Sequence, residues 1–329
     1  MGEKIILNKP KHAIPLTKSE DKYIDLGERG RLSKNNKLND LTGKEWIKFT
    51  KTWFIHRPKR RNEVEILHPA KYPESLIEEF ILFFTKKGQY VLDPFAGTGS
   101  TNIAAQNAGR NCLSFEITKK YSQIANRRIK NNSSTGLNIR YFNKVVNGNS
   151  LELTGIVKNK FPELLKNKFD FCITSPPYWN QLKRNTLRQA QRKKIGLDTR
   201  YSFNPDDIGN EDEYQNFLKK QKEIFNNVYQ LLKDNAYLVV ITNNVYFESR
   251  LYPLAYDTFN SLINGKYTWV GKDEKIWCQD DKALANLGIN NAWVGNRSHQ
   301  YCLIFRKEIR SEKKRLPGNK NRRAVPPKL

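Results

Sequence analysis

Two groups of residues in this 329-residue chain have the types and the spacing that chemistry requires. The first, the glycine turn, is Asp93-Pro94-Phe95-Ala96-Gly97-Thr98-Gly99-Ser100. Gly97 and Gly99 let the backbone approach a ligand closely, and a helix that follows offers free N–H groups to an anionic group. Glu116 comes about one strand–helix–strand unit later, where an acid can bind ribose hydroxyls. The pattern predicts a nucleoside-cofactor site, and glycines that serve only a tight turn are the alternative.

The second group, the proline loop, is Thr174-Ser175-Pro176-Pro177-Tyr178-Trp179, and it follows the apolar run 169–173. Two consecutive prolines forbid both a helix and further strand pairing, so the chain leaves the sheet edge rigidly. The loop exposes the Ser175 hydroxyl, backbone carbonyls and two aromatic rings. These groups suit a flat ligand with polar edges, such as a nucleobase. A proline-rich turn with core aromatics is the alternative interpretation.

Strands and helices alternate through a compact region from about residue 41 to 307. We predict strands at 90–92, 112–116, 169–173, 236–242, 269–277 and 300–306, a weaker strand and turn at 145–150, and helices at 101–108, 119–130 and 211–232. This alternation predicts an α/β fold with a doubly wound, mainly parallel sheet. Ligands bind such a sheet beyond the carboxyl ends of its strands, at the switch in strand order, and both motifs follow a predicted strand.

The charge balance predicts a polyanionic partner. The chain has 58 basic and 33 acidic residues, a net charge of +25 and a pI near 9.8. Nucleic acid is the partner that this excess favours. The basic insertion at about 180–210, next to the proline loop, is the candidate for phosphate contacts. Its predicted DNA-binding residues are Lys183, Arg184, Arg188, Arg192, Lys193 and Lys194, with Arg57-Lys59-Arg60-Arg61 as a second cluster. A solvated helix face is the alternative for each residue.

Other features narrow the class of protein. The four cysteines are scattered without a CxxC pair, so we expect neither a zinc site nor a disulfide framework, and no other metal spacing is present. No run of residues is apolar and long enough to cross a membrane, and we expect a soluble, cytoplasmic protein. We predict a polar arm at 1–40 and a basic, disordered tail at 308–329.

Four segments together resemble the S-adenosylmethionine-dependent DNA amino-methyltransferases, the group that methylates cytosine N4 or adenine N6. The glycine turn resembles the cofactor motif of that family, and residues 174–178 resemble its catalytic (D/N/S)PP(Y/F/W) motif. His68-Pro69-Ala70-Lys71-Tyr72-Pro73-Glu74 resembles the segment that closes over the methionine end of the cofactor, and residues 299–305 resemble the closing strand written HEYxLxF. The resemblance covers about residues 41 to 307 in a gamma-like motif order.

The resemblance implies a Rossmann-like methyltransferase sheet with helices on both faces, S-adenosylmethionine as cofactor and double-stranded DNA as substrate. It also implies a restriction–modification context, with a cognate endonuclease acting on the same site as a partner. The implied cofactor-binding residues are Asp93, Pro94, Phe95, Gly97, Gly99, Ser100, Glu116 at the ribose and Asn149 near the adenine. The implied catalytic residues are Ser175, Pro176, Pro177 and Tyr178.

The chemistry of the proline loop agrees with this resemblance. An exocyclic amine is a poor nucleophile, and acceptors aimed at its N–H bonds stabilise the positive charge that develops on attack. The Ser175 hydroxyl and the Pro176 carbonyl are such acceptors, and Tyr178 would stack on a flipped-out base. In the family, serine at this place favours cytosine N4 over adenine N6. Methylation of adenine, of RNA bases or of a protein glutamine, and an inactive nucleic-acid-binding module, are the other hypotheses.

Overall fold

The structure is a computed structural model, which describes residues 22–57, 72–132, 141–183, 187–200, 202–267 and 269–308. Within these residues the chain forms twelve strands and nine α-helices. The strands are β1 Tyr23–Asp25, β2 Arg31–Ser33, β3 Trp53–Ile55, β4 Tyr90–Asp93, β5 Asn111–Glu116, β6 Asn143–Asn147, β7 Phe169–Thr174, β8 Leu232–Thr242, β9 Val245–Phe247, β10 Arg250–Tyr252, β11 Trp269–Cys278 and β12 His299–Lys307. The helices are α1 Gly43–Phe49, α2 Glu74–Phe84, α3 Ser100–Asn107, α4 Lys119–Asn132, α5 Leu153–Lys160, α6 Pro162–Asn167, α7 Leu187–Lys194, α8 Tyr214–Leu231 and α9 Leu254–Ile263.

Eight strands form one sheet in the order β3-β11-β12-β8-β7-β4-β5-β6. All neighbours are parallel except at β12, which runs antiparallel to both β8 and β11. From β4 the chain adds β5 and β6 on one side and then returns to place β7 on the other side. The order therefore reverses between β4 and β7, where a doubly wound sheet binds its ligands. The predicted fold class is confirmed.

The central strands have near-continuous apolar sequences because both faces of the sheet are covered. Along β8, Leu238 and Val240 pack into one core with α5 and α8, whereas Val239 and Ile241 pack into a second core with α2 and α3. Successive side chains of a strand point to opposite faces, so one apolar run contributes to both cores. Helices on both faces are thus a consequence of this pattern.

The predicted strand positions are confirmed to within a few residues, apart from the start of β8. That strand begins at Leu232, directly where α8 ends, and not at Ala236. The polar residues 233–235 predict a loop, but Leu232 is fully buried and pairs with Phe169. A register irregularity and a positive φ of 65° at Asn235 accommodate them. The sequence also did not predict the hairpin of β9 and β10 or helix α9.

Part of the predicted N-terminal arm has defined structure. β1 and β2 form an antiparallel hairpin, and Asn39 is 1% exposed. Its Nδ2 donates to the carbonyl of Phe83 at 2.6 Å, which attaches residue 39 to the end of α2. A boundary at residue 40 stays a prediction, and residues 1–21 and 309–329 lie outside the described residues. In the part of the chain that the structure describes, no helix combines the length and the apolar character needed to cross a membrane.

Candidate active site

The carboxyl ends of β4 and β7 are joined by a buried carboxylate. Thr174 donates its Oγ1 proton to Asp93 Oδ1 at 2.5 Å, across the point where the strand order reverses. The other donors to Asp93 are the N–H of Phe95 at 2.9 Å, Thr101 Oγ1 at 2.6 Å and Tyr72 Oη at 2.8 Å. Burial raises the pKa of the fully buried Asp93 carboxyl, and these hydrogen bonds partly oppose that shift. The four donors occupy the acceptor sites of the carboxylate, so Asp93 holds the glycine turn against the proline loop.

The glycine turn has the backbone conformation that its sequence predicts. Gly97 and Gly99 have positive φ values of 53° and 81°, which glycine adopts without strain. A Cβ atom on Gly99 would lie 2.9 Å from the Cβ of Ala125, so the start of α3 packs closely on α4. Ser100, the first residue of α3, is buried. Glycine at these two positions therefore permits both the positive φ values and the close packing of the turn on α4.

Glu116 is the last residue of β5, and its side chain contacts the glycine turn. Its Oε2 accepts from the N–H of Gly97 at 2.9 Å, and its Oε1 accepts from the N–H of Thr118 at 2.8 Å. A carboxylate can accept about four hydrogen bonds, so acceptor sites remain on both oxygens. Burial raises the pKa of Glu116 to about 7, because two donors do not compensate for the lost hydration.

The remaining predicted cofactor residues surround the same turn. The Pro94 carbonyl accepts from Ser150 Oγ at 2.5 Å, which places the start of the short 3-10 helix Ser150–Glu152 beside the turn. Asn149 caps that helix, since its side chain accepts from the N–H of Leu151 at 3.0 Å. Phe95 is half-buried and packs against the aromatic cluster that contains Trp179. The structure thus brings all eight predicted cofactor residues to one edge of the sheet.

These residues fit a nucleoside cofactor. Glu116 offers unfilled acceptor sites, and Thr98 Oγ1, in the middle of the glycine turn, is buried without a hydrogen-bond partner among the described residues. Such atoms can form hydrogen bonds with the hydroxyl groups of a ribose and with the charged groups of an amino acid. Asp93 differs from them, because its acceptor sites are already used. A direct contact between Asp93 and a cofactor stays a prediction.

The proline loop presents a short chain of hydrogen bonds. Ser175 Oγ lies 3.1 Å from Tyr178 Oη, and Tyr178 Oη donates to Gln300 Oε1 at 2.7 Å. Tyrosine has a single hydroxyl proton, so Ser175 is the donor in the serine–tyrosine hydrogen bond. The lone pairs of Ser175 Oγ are then directed away from Tyr178. Ser175 and Tyr178 are half-buried, whereas Pro176 and Pro177 are buried and hold the loop rigid.

Trp179 ends the proline loop in an unusual backbone conformation. Its φ is 43°, in the left-handed region that side chains other than glycine rarely adopt. The prediction that the loop exposes two aromatic rings is wrong for Trp179, whose ring is 4% exposed. The ring packs on Tyr214, Phe247 and Tyr252, with ring centroids 4.5 to 5.5 Å away. Its Nε1 donates to the carbonyl of Asp212 at 3.2 Å. This packing maintains a conformation that is costly in isolation and turns the chain away from the loop.

The predicted DNA-binding residues divide into two kinds. Lys193 and Lys194 are exposed at the end of α7. Arg192 is only 7% exposed, and its Nε donates to the carbonyl of Asp198 at 2.8 Å. Lys120 and Tyr121 of α4 both donate to the Asp198 carboxylate at 2.7 Å, so the insertion is attached to α4. Arg184 and the side chains of Lys183 and Arg188 lie outside the described residues.

The sequence did not assign several residues that the structure brings to this edge. Tyr72 and Thr101 bind Asp93, and Gln300 binds Tyr178, although Tyr72 and Gln300 lie in segments that the family resemblance had marked. Three further buried oxygen atoms near the ends of β7 and β8 have no partner among the described residues: Asn180 Oδ1, Thr242 Oγ1 and Asn243 Oδ1. The described residues contain no group of three His, Cys, Asp or Glu side chains that could hold a metal ion.

Parts of the chain are similar in sequence to curated methyltransferases. Curated relatives include the type II methyltransferase M2.DpnII of Streptococcus pneumoniae, 41% identical over 68 residues that make up 21% of this chain and 25% of the relative. The orphan methyltransferase M.BamHII of Bacillus amyloliquefaciens is 36% identical over 108 residues, 32% of this chain and 39% of the relative. The chain thus spans between a quarter and two-fifths of the length of these relatives.

Among solved structures, the chain is similar to TrmN from Thermus thermophilus, with a TM-score of 0.41, 11% identity and coverage of 71% of this chain and 48% of that one. A likeness at this level does not bear on activity. The family model described as DNA methylase, which groups N6 and N4 methyltransferases, matches residues 6–127 and 169–324, well over half of the sequence. On that match, this chain belongs to the DNA methylase family.

Proposed function

We propose that this protein is a site-specific DNA methyltransferase that transfers a methyl group from S-adenosylmethionine to N4 of a flipped-out cytosine. The observation that carries the proposal is the hydrogen bond between Thr174 and Asp93. It fixes the glycine turn and the proline loop side by side at the switch point. A site with a cofactor motif on one side and amine acceptors on the other is suited to group transfer between two ligands.

S-adenosylmethionine is the methyl donor, and when bound it supplies a methyl group activated by a sulfonium. The residues that would hold it are those of the glycine turn, Glu116 and Asn149. Glu116 would accept hydrogen bonds from the ribose hydroxyls, for which it has unfilled acceptor sites. Thr98 Oγ1 is a further group available to the cofactor. Asp93 positions the turn through its four protein donors.

The acceptor side acts on the amine of the base. Ser175 Oγ and the Pro176 carbonyl accept hydrogen bonds from the two N–H groups of the amine. These hydrogen bonds raise the electron density on nitrogen and stabilise the positive charge that develops on it. Ser175 is able to accept because its own proton is donated to Tyr178. The Tyr178 ring stacks on the flipped base, a contact worth roughly 1–3 kcal/mol. Flipping costs a few kcal/mol, which this stacking offsets.

Cytosine N4 is favoured over adenine N6 because serine stands at position 175, where the family resemblance associates serine with N4. Duplex DNA is the substrate, in keeping with the net charge of +25. The relatives named type II methyltransferases support a role in restriction–modification, with an endonuclease of the same specificity as partner.

The test is to incubate the purified protein with labelled S-adenosylmethionine and unmethylated duplex DNA, then to identify the modified nucleoside by mass spectrometry. Ser175→Ala, prepared in parallel, is the matched control for label that is not transferred by this site. RNA of the same base composition provides a third arm. We expect N4-methylcytosine in DNA with the wild-type protein only.

Each other result assigns a different function. N6-methyladenine as the sole product would support DNA methyltransferase activity but overturn the proposal that cytosine is the target base. Label in RNA and none in DNA would overturn the substrate. Cofactor binding by calorimetry without transfer to either nucleic acid would indicate an inactive binding module.

A further inference from the structure

We propose that Gln300 is a positioning residue for methyl transfer, which holds the Tyr178 hydroxyl and through it orients the hydroxyl of Ser175. This inference rests on the proposed function and deepens it. The residue does not contact the reacting amine in this arrangement. It determines which way the protons of the serine–tyrosine pair point.

The sheet topology brings Gln300 to the proline loop. Strand β12 runs antiparallel to β8, so β12 begins at the edge where the parallel strands end. Gln300 is its second residue, and its Oε1 accepts from Tyr178 Oη at 2.7 Å across 122 positions of sequence. On the other side of the amide, Gln300 Nε2 lies 3.5 Å from Gln279 Oε1. The amide oxygen of Gln300 thus faces Tyr178 and its nitrogen faces Gln279.

The direction of these hydrogen bonds matters for the chemistry. The Gln300 oxygen can only accept, so the Tyr178 proton is directed to it and Ser175 donates to Tyr178. Without Gln300, the Tyr178 proton could be donated to Ser175. The serine proton would then be free to point at the substrate amine, where a donor opposes the positive charge that develops. Gln300 thereby keeps Ser175 an acceptor.

The same hydrogen bond fixes the ring that stacks on the base. Tyr178 is half-buried beside the aromatic cluster of Trp179, and its hydroxyl end is held by Ser175 and Gln300. Gln300 is also only half-buried, and its place in β12 is secured by backbone pairing with Trp277. Replacing its side chain should therefore leave the sheet intact.

The kinetic test compares three substitutions. We expect Gln300→Leu to lower the rate of methyl transfer in a single turnover about tenfold, the effect of removing one hydrogen bond, while the dissociation constant of the cofactor stays within about twofold. Gln300→Glu should restore the rate at neutral pH, because a carboxylate also accepts from Tyr178. Gln230→Leu, at an exposed position of α8, is the matched control and should transfer at the wild-type rate.

A double variant separates positioning from independent effects. Tyr178→Phe removes the hydroxyl that donates to Gln300, so the Gln300 side chain has nothing left to orient. Gln300→Leu combined with Tyr178→Phe should therefore be no slower than Tyr178→Phe alone. Additive effects would mean that Gln300 acts independently of Tyr178, and would overturn the proposal.

A structural readout keeps the inference separate from the proposed function. In neutron crystal structures, which show hydrogen positions, we expect the Tyr178 hydroxyl proton to point to Gln300 in wild type and to Ser175 in Gln300→Leu. Failure of wild type to methylate DNA would refute the proposed function, and the two neutron structures would still decide whether Gln300 orients the serine–tyrosine pair. A transfer rate of Gln300→Leu equal to that of wild type, or a Tyr178 proton that points to Ser175 in wild type, would overturn it.

Discussion

The glycine turn and the proline loop lie side by side at the switch point, but their polar groups are hydrogen-bonded to different degrees. Asp93 is fully buried and receives four protein donors. Ser175 is half-buried, and its hydroxyl is hydrogen-bonded to that of Tyr178. A buried carboxylate whose acceptor sites are filled by protein donors holds structural elements together, whereas a hydroxyl with unfilled acceptor sites is available to a ligand.

The same contrast recurs around the site. Glu116 is intermediate between Asp93 and Ser175, because two protein donors fill only part of its acceptor sites. On α7, the buried Arg192 donates to the carbonyl of Asp198, while the neighbouring Lys193 is exposed. We therefore expect saturated groups to affect stability and unsaturated ones to affect binding or turnover. Substitutions at these positions test that distinction.

The largest effect on stability is expected from Asp93→Ala. The substitution leaves the hydroxyl of Thr174 without its acceptor, and those of Tyr72 and Thr101, which lie 2.5 Å apart, with only each other. It should lower the free energy of unfolding by about 2–4 kcal/mol. Urea denaturation measures it. Asp206→Ala, at an exposed carboxylate, is the control and should change stability by less than about 0.5 kcal/mol. Equal effects of the two substitutions would contradict the role assigned to Asp93.

Ser175→Ala should change turnover and leave stability nearly unchanged, the opposite of Asp93→Ala. We expect the transfer rate to fall by about 10² or more, because the variant lacks an acceptor for the developing charge. Tyr178→Ala should also abolish turnover, because it removes both the stacking ring and the group that orients Ser175. Calorimetry should find cofactor affinity unchanged in both variants. A decrease of cofactor affinity in both would mean that the proline loop is misassigned.

A moderate, pH-dependent effect is expected at Glu116. Burial raises its pKa from the ordinary value of 4.5 to about 7, so the protonated form accumulates below pH 7. Because ribose hydroxyls donate best to the ionised carboxylate, cofactor affinity should fall by up to about tenfold per pH unit as the pH drops below 7. Calorimetry between about pH 6 and pH 8, a range centred on that pKa, measures the effect. Glu116→Gln should bind more weakly at high pH and show no such dependence.

The stability of the cofactor-free protein should respond to Glu116 with the opposite sign. A group whose pKa is raised in the folded state contributes stability below its unfolded pKa, here 4.5, and that contribution disappears as the pH rises through about 7. At about pH 8, Glu116→Gln should therefore raise the free energy of unfolding relative to wild type. A destabilised variant at that pH would indicate that the ionised carboxylate is well compensated.

The smallest effect is expected on α7. Replacing both Lys193 and Lys194 by alanine should reduce the slope of log affinity for DNA against log salt by about 1 for each phosphate that the variant no longer neutralises. Fluorescence anisotropy at several salt concentrations measures this slope. Arg192→Ala should instead lower stability, because its guanidinium is buried against the Asp198 carbonyl. An unchanged slope in the lysine variant would place the DNA elsewhere.

Much of the fold could be predicted because its signals are local. Glycine at positions 97 and 99 permits positive φ, and Pro176 and Pro177 exclude regular structure, whatever surrounds them. The start of β8 could not be predicted in this way. Its polar residues 233–235 have no strand pattern, and only pairing of Leu232 with Phe169 makes them part of the sheet.

The chain by itself thus determined the two motifs, their order and the alternation of strands and helices that places them at one edge. The tertiary structure decided which polar groups meet there. Thr174 reaches Asp93 across 81 positions, and Gln300 reaches Tyr178 across 122. Such contacts depend on strand order, strand direction and register, which arise from the packing of the whole sheet and leave no mark on neighbouring residues. That is why the residue types of the site could be predicted from the sequence. It could not be predicted that the protein fills the acceptor sites of Asp93 and leaves acceptor sites on Ser175 unfilled.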